Sequence, residues 1–399
     1  MNATDPVVFA TRQWEEPIRA EIFGIERLEQ HAESLARAQR TAPEPFKGRK
    51  LLPRVRDNAQ VLLAAYRDVA DTIREKSEIT PAAEWLLDNF HVVEEQVRGI
   101  RDHLPGSYYR LLPKISEGHL AGYPRVYGLA WAYVAHTDSR FELETLTRFV
   151  RAYQRAQPLT IGELWAVTIH LRVALVENLR RVSHLIVRSR KARASADELA
   201  DRILGLSGRP AEPVDAVLGP LGEAKLRRPF AVQLVQRLRD QGPSIIPAMD
   251  WLNEKLAAQD TSADEVVAQE HYSQAAANVT VRNIITSMRW ISSIDWLEFF
   301  EDISLVDEVL RAAPGFGASD FATRDAYRTQ IELLSRGSGR SEIDVARASM
   351  HLAEKAASGN EPQAGAEADL DHKEVGPGFL GLPERPEEDP GYYLLSRGR

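Results

Sequence analysis

Apolar positions along this chain recur every three or four residues, the spacing that lines one face of an α-helix. The clearest run follows Leu159-Thr160, where Leu164, Val167, Leu171, Ala174, Leu175, Leu179 and Val182 fall on one stripe. Thr160 and Glu163 are spaced as a capping box, in which the hydroxyl accepts from the Glu163 amide and the carboxylate reaches back to the cap. Further helix starts are expected at Thr80-Pro81, Ser195 with Glu198, Ser262 with Glu265 and Ser341 with Asp344. Alternating Val, Ile and Thr runs closed by Asn-Gly or Asp-Gly, the marks of paired strands, are missing. The fold class that follows is all-α.

Glycine, proline and charge divide the helices. Residues 1–50 read as a helical lead-in, 51–190 as a first helical body, 191–224 as a linker with a short helix, 225–357 as a second body and 358–399 as a low-complexity linker. The central break rests on the small, basic stretch 188–197 and on the prolines and glycines of 206–222. The last segment is rich in Pro, Gly and Glu and too poor in apolar residues to offset the entropy of ordering it, so it is expected to be disordered. Pro81-Ala82-Ala83-Glu84-Trp85-Leu86 and Pro247-Ala248-Met249-Asp250-Trp251-Leu252 share one pattern, each after an amphipathic segment. The two tandem bodies therefore read either as copies of one helical unit or as helix-rich segments that share a hexamer by chance.

Composition removes several function classes. Across 399 residues the formal charge is -8, which disfavours a polyphosphate partner, so no nucleic acid is expected. The absence of cysteine excludes disulfides, thiolate zinc sites and thiol nucleophiles together. No stretch of about eighteen residues is free of charge, and the opening lacks the basic-then-apolar order of a signal peptide. Phosphate-binding loops, dinucleotide fingerprints, zincin motifs and nucleophile elbows are all missing. An Asp-x-Asp pair at Asp369 and Asp371 lies in the dilute tail without a preceding strand and reads as chance.

Four groups of residues could still carry chemistry. His91 and Glu94, with Asp88 and Glu95, fall on successive turns of one helix, either as a solvated face or as part of a metal or sugar site with Glu163 and Glu177. Buried carboxylates are costly without partners, so Glu177 with Arg180 or Arg181 reads first as a structural ion pair. Arg282, beside Asn278 and Asn283, reads as an interhelical hydrogen-bonding group or a ligand contact. Tyr127 and Trp131 lie on one helical stripe, as core or as a stacking platform for sugar rings, and Asp138 reads as a cap on the next helix. Arg188, Arg190, Lys191 and Arg193 form the one strongly basic run, a solvated helix end or a contact for anionic head groups.

Several long blocks, among them AEWLLDNFHVVEEQVR (83–98), LAGYPRVYGLAWAYVAHTDSR (120–140), PLTIGELWAVTIHLRVALVENLRR (158–181), NVTVRNIITSMRWIS (278–292) and SLVDEVLR (304–311), occur in an order that resembles the N-terminal region of the bacterial cyclic β-1,2-glucan synthases. The resemblance spans roughly residues 50 to 350 and implies a helical cytoplasmic region at the inner face of the bacterial inner membrane. It also implies a membrane-embedded glucosyltransferase core, in cis or as a separate chain, which uses UDP-glucose and Mg²⁺ ahead of domains for cyclisation and phosphorolytic length control. The chain ends at PGYYLLSRGR, before that core is expected, and Thr286 stands where the Q-x-x-R-W signature of processive transferases has Gln. No catalytic residue and no metal ligand are therefore assigned, and no cofactor is expected on this chain itself. The expected role is a scaffold or regulatory region of the synthase, in contact with its transferase core and with the anionic inner leaflet; the alternatives are a glycan-binding helical module and a self-contained enzyme domain.

Overall fold

A computed structural model describes residues 16–42, 48–75, 79–206, 208, 210–222, 225–239, 241–242, 245–358 and 385–395. Among them there are helices, turns and two isolated bridges (Thr41 with Ile115, Lys114 with Pro124), and no strand. The first half runs α1 (Ile25–Ala38), α2 (Leu51–Arg74), α3 (Pro81–Asp88), α4 (Phe90–His103), α5 (Gly106–Leu111), α6 (Arg125–His136), α7 (Leu143–Ala156) and α8 (Ile161–Leu204). The second runs α9 (Val214–Leu218), α10 (Arg228–Leu238), α11 (Ile246–Ala257), α12 (Ala263–Ser293), α13 (Trp296–Ile303), α14 (Leu305–Leu310), α15 (Pro314–Ala318), α16 (Phe321–Ser338), α17 (Glu342–Ala357) and α18 (Pro390–Leu395).

The expected caps at Thr80, Thr160, Ser262 and Ser341 all accept from a backbone amide of the first turn, and Thr160 and Ser262 close full capping boxes. Ser195 starts nothing, because α8 continues straight through it for 44 residues. Its alanines Ala192, Ala196 and Ala200 recur every four residues and are wholly buried, so the small, basic stretch is a helix face and not a break. The helix ends at Gly205, whose φ is positive and where a Cβ would meet the Ala211 backbone nitrogen at 2.7 Å, too close for any side chain.

Two hydrophobic cores are present, but their membership crosses the boundaries expected at 190 and 225. The larger gathers α1–α8 and then takes in Val281, Ile284 and Met288 of α12, Phe300 of α13 and Ile331 of α16. The smaller joins Ala192–Ile203 of α8 to α9–α11 and Val266 of α12. Both long helices therefore belong to both cores. The shared hexamers begin α3 and α11, each with proline in the first turn, yet α3 packs on α12 whereas α11 packs on α10 and α9.

Of the expected C-terminal linker, residues 359–384 and 396–399 lie outside the described residues. Residues 385–395 are an exception to the expected disorder: they fold back on α16 and α17, burying Leu394. The Tyr327 hydroxyl donates to Asp389 at 2.6 Å, and Gly391 passes so close to that ring that no side chain fits there. Asp138 is not a helix cap; with Ser139 it forms a left-handed turn at φ 48° and 64°. That strained turn is held from α12 and α8: Thr280 and Asn283 donate to Asp138, Ser287 to the Ser139 carbonyl at 2.7 Å, and Asn178 to the Ser139 hydroxyl at 2.8 Å.

At the start of α8 the Ile161 amide donates to Glu342 of α17 at 2.7 Å. Burial pushes the Glu342 carboxyl up to about 7 against the lowering effect of that hydrogen bond, with Glu332 and Glu163 adding to the rise. A carboxyl raised above its unfolded value makes the folded state the better proton binder, so its contribution to stability is full below about pH 4.5 and is lost as pH climbs to about 7. Glu342→Gln keeps an acceptor for Ile161 and removes the charge. It should match the parent at pH 4 and exceed it at pH 8 by roughly 1–2 kcal/mol in urea unfolding, whereas parallel pH profiles would refute the assignment.

Candidate functional site

The two carboxylates on the buried face of α8 are fully matched by cations. Glu163, 0% exposed, takes Nε and Nη2 of Arg125 from α6, both at 2.6 Å, while closing the helix cap. Glu177, 1% exposed, takes Arg54 and Asn58 from α2 at 2.6–2.9 Å and Arg181 one turn on at 2.8 Å. Burial raises the Glu177 carboxyl, and the hydrogen bonds and charges of Arg54, Arg181 and Asn58 more than reverse it, so the group is held below its ordinary value. The pairing expected with Arg180 or Arg181 is thus made by Arg181. His170, between the two on the same helix, is wholly buried, donates from Nδ1 to the Ala166 carbonyl, and is lowered by burial to about 4. It is a neutral core imidazole.

Those groups do not converge. Fourteen positions separate Glu163 from Glu177, about 21 Å along the helix axis. His91 and Glu94 are exposed on α4, and Arg282 is exposed on α12. Among the described residues no group of three His, Asp or Glu is arranged to hold a metal. Asn278 and Asn283 do act as interhelical hydrogen-bonding groups, Asn278 accepting from the Ala82 amide at 2.9 Å and Asn283 donating to the Asp138 carbonyl at 3.0 Å. The basic run likewise presents no single face. Arg190 is spent on Asp68 at 2.6 and 3.0 Å, Arg193 is half-buried beside Glu270 and Asp197, Arg188 lies in a cleft against the 16–19 segment, and Lys191 points to solvent.

A cleft of about 500 Å³ opens where the extended segment 16–20 crosses α6 and α8 beneath α1 and the loop 115–120. Trp131 of α6 lines it, half-buried, with Arg181 stacked 4.8 Å over the ring and His119 edge-on at 6.1 Å. Tyr127, one turn earlier, lies 1% exposed beneath Trp131 and is core. At the other end His136 stacks on Phe23 at 4.0 Å and meets His31 at 4.4 Å. His136 donates from Nδ1 to the Glu21 carbonyl at 2.8 Å; burial, then the neighbouring His136, lower the His31 pKa. Gly128 lets Gln39 sink against α6, where a Cβ would collide with its amide nitrogen.

Of the residues singled out from the sequence, Trp131 and Arg181 reach this cleft. His31 and Gln39, in α1 and at its C-terminal cap, and His119, in the loop before α6, carried no local signal, since only the chain's closure brings them together.

Fold and cleft together define an all-α module with a charge-matched interior and an aromatic, imidazole-lined groove. No protein-family model matches the chain. It is 36% identical over 368 residues, 92% of its length, to the cyclic β-(1,2)-glucan synthase NdvB of Rhizobium meliloti (strain 1021), and it spans 13% of that protein's length. The chain is thus similar to one segment of a cyclic β-(1,2)-glucan synthase, as its sequence blocks led one to expect.

Removing one member of a buried ion cluster strands the others. Glu177→Ala should cost about 3–5 kcal/mol in urea unfolding, because Arg181 loses its buried counter-charge, whereas the exposed Glu94→Ala should stay within about 0.5 kcal/mol. Equal effects would show that the cluster does not anchor α2 on α8.

Proposed function

We propose that this chain serves cyclic β-1,2-glucan synthesis as a helical supporting region, at the cytoplasmic face of the membrane, for a glucosyltransferase core that draws on UDP-glucose. What carries the reading is the match of 92% of the chain to one segment of a cyclic β-(1,2)-glucan synthase. A supporting role is favoured by the state of the interior acids: Glu163 and Glu177 are each committed to arginine, so neither is poised to move a proton. No helix among the described residues is long and apolar enough to cross a membrane.

The test is a chimera in which this chain replaces the matching segment of the Rhizobium meliloti synthase. Membranes carrying it should convert labelled UDP-glucose and Mg²⁺ to cyclic glucan, membranes of a deletion variant should not, and the isolated chain should make none. Glucan formed by the isolated chain would overturn the supporting role, and a membrane-inserted but inactive chimera would overturn the assignment to synthesis.

A further inference from the structure

The geometry points to the Trp131 cleft as a binding site for a short stretch of neutral β-linked glucan. Its volume of about 500 Å³ exceeds a single hexose ring and falls within the ~300–1,000 Å³ range of small-molecule sites. The half-buried indole of Trp131, with Arg181 over its ring, gives the wall an apolar aromatic lining against which the CH groups of a pyranose pack. Around it stand groups suited to hydroxyls. His31, His119 and His136 all line the cleft with imidazole nitrogens, groups that exchange hydrogen bonds with hydroxyls; His136 Nδ1 is already spent on the Glu21 carbonyl, which leaves its Nε2. Gln39 accepts from the Tyr153 hydroxyl at 2.9 Å through its carbonyl oxygen, which directs its amide donors elsewhere.

Charge decides between a glucan and a sugar nucleotide. Both arginines that line the cleft are committed: Arg19 to Asp138, Thr280 and the Ala276 carbonyl, Arg181 to Glu177 and the Glu16 carbonyl. Glu16 and Glu117 line it as well. Among the described lining residues a diphosphate would find no arginine without a counter-charge and would meet the carboxylates of Glu16 and of Glu117, the latter 3.8 Å from Arg40, whereas an uncharged polyol meets neither obstacle. The β-1,2 linkage rests on the functional reading above; the neutral polyhydroxyl chemistry rests on the cleft alone.

Calorimetric titration of the full chain with short linear β-1,2-gluco-oligosaccharides tests the inference, with UDP-glucose, UDP and β-1,4-gluco-oligosaccharides titrated separately. The β-1,2 series should bind with a Kd in roughly the millimolar range or tighter, and the nucleotides should not bind. Trp131→Ala and His119→Ala should each weaken binding about fivefold or more. His119 is exposed and outside the core, so its variant keeps the test valid should Trp131→Ala unfold, which the unfolding midpoint of each variant reports. Silence with the β-1,2 series at about 10 mM, undiminished binding in a folded His119→Ala, preference for β-1,4 chains, or binding of UDP-glucose in its place would overturn the assignment. A silent titration beside an active chimera removes the cleft proposal and leaves the supporting role standing; glucan binding beside an inactive chimera does the reverse.

Discussion

Carboxylates buried on α8 set the arrangement of everything around them. An ionised carboxylate inside a helical core is tolerated only when cations and hydrogen-bond donors replace its lost water. Glu163 draws Arg125 and with it α6; Glu177 draws Arg54 and Asn58 and with them α2. Hydrophobic stripes alone would let helices slide by a turn at modest cost, whereas two bidentate pairs fix α6 and α2 on α8 in one register. The same cluster shapes the cleft. Arg181, held by Glu177 and by the Glu16 carbonyl, is the side chain that covers Trp131.

The opposite wall is a strap of extended chain, and its stability is a matter of backbone accounting. Segment 16–24 forms no helix, so its amides need outside partners. Asn178 of α8 supplies both halves for Ile18, accepting from its nitrogen at 2.6 Å and donating to its oxygen at 3.2 Å. The carbonyls at the end of α6 take the amides of Ala20 and Phe23, each at 3.0 Å. Because α6 stops at His136 in order to turn left-handed at Asp138, those carbonyls are left open for the strap. One sharp turn thus frees the acceptors that hold the strap and presents the carboxylate that binds Arg19.

Periodicity and capping chemistry made the helices legible, and the cost of burying charge made the structural role of Glu177 legible before its partners were known. What escaped was whatever depended on distance in sequence. The stretch 188–197 read as a break because it is basic and small, yet Arg, Lys and Ala are also strong helix formers, and the buried alanine row decides the matter. Tyr127 and Trp131 share a stripe, but Tyr127 is sealed against His170 of α8 whereas Trp131, one turn on, stands in the cleft wall. The docking of residues 385–395 rests on the buried Leu394, the Tyr327–Asp389 bond and the close Gly391, too few positions to register in composition. The cleft is assembled from α1, α6, α8, a loop and the strap, and no window of sequence contains it.

Continuity of two helices across both cores has a mechanical consequence. Separate bodies joined by a proline-rich linker would move independently, since few contacts cross such a boundary. Here α8 contributes Val173 and Leu179 to the larger core and Ala196 and Ile203 to the smaller, while α12 contributes Met288 to one and Val266 to the other. Reorienting one core against the other would require bending both helices at once, and neither has an interior proline at which to bend. The part of α12 that spans the junction carries Thr280 and Asn283, which hold the Asp138 turn behind the cleft. A load applied to the smaller core therefore reaches the strap through a hydrogen-bonded helix, and the rigidity that the proposed supporting role calls for arises from the helix continuity that replaced the expected linker.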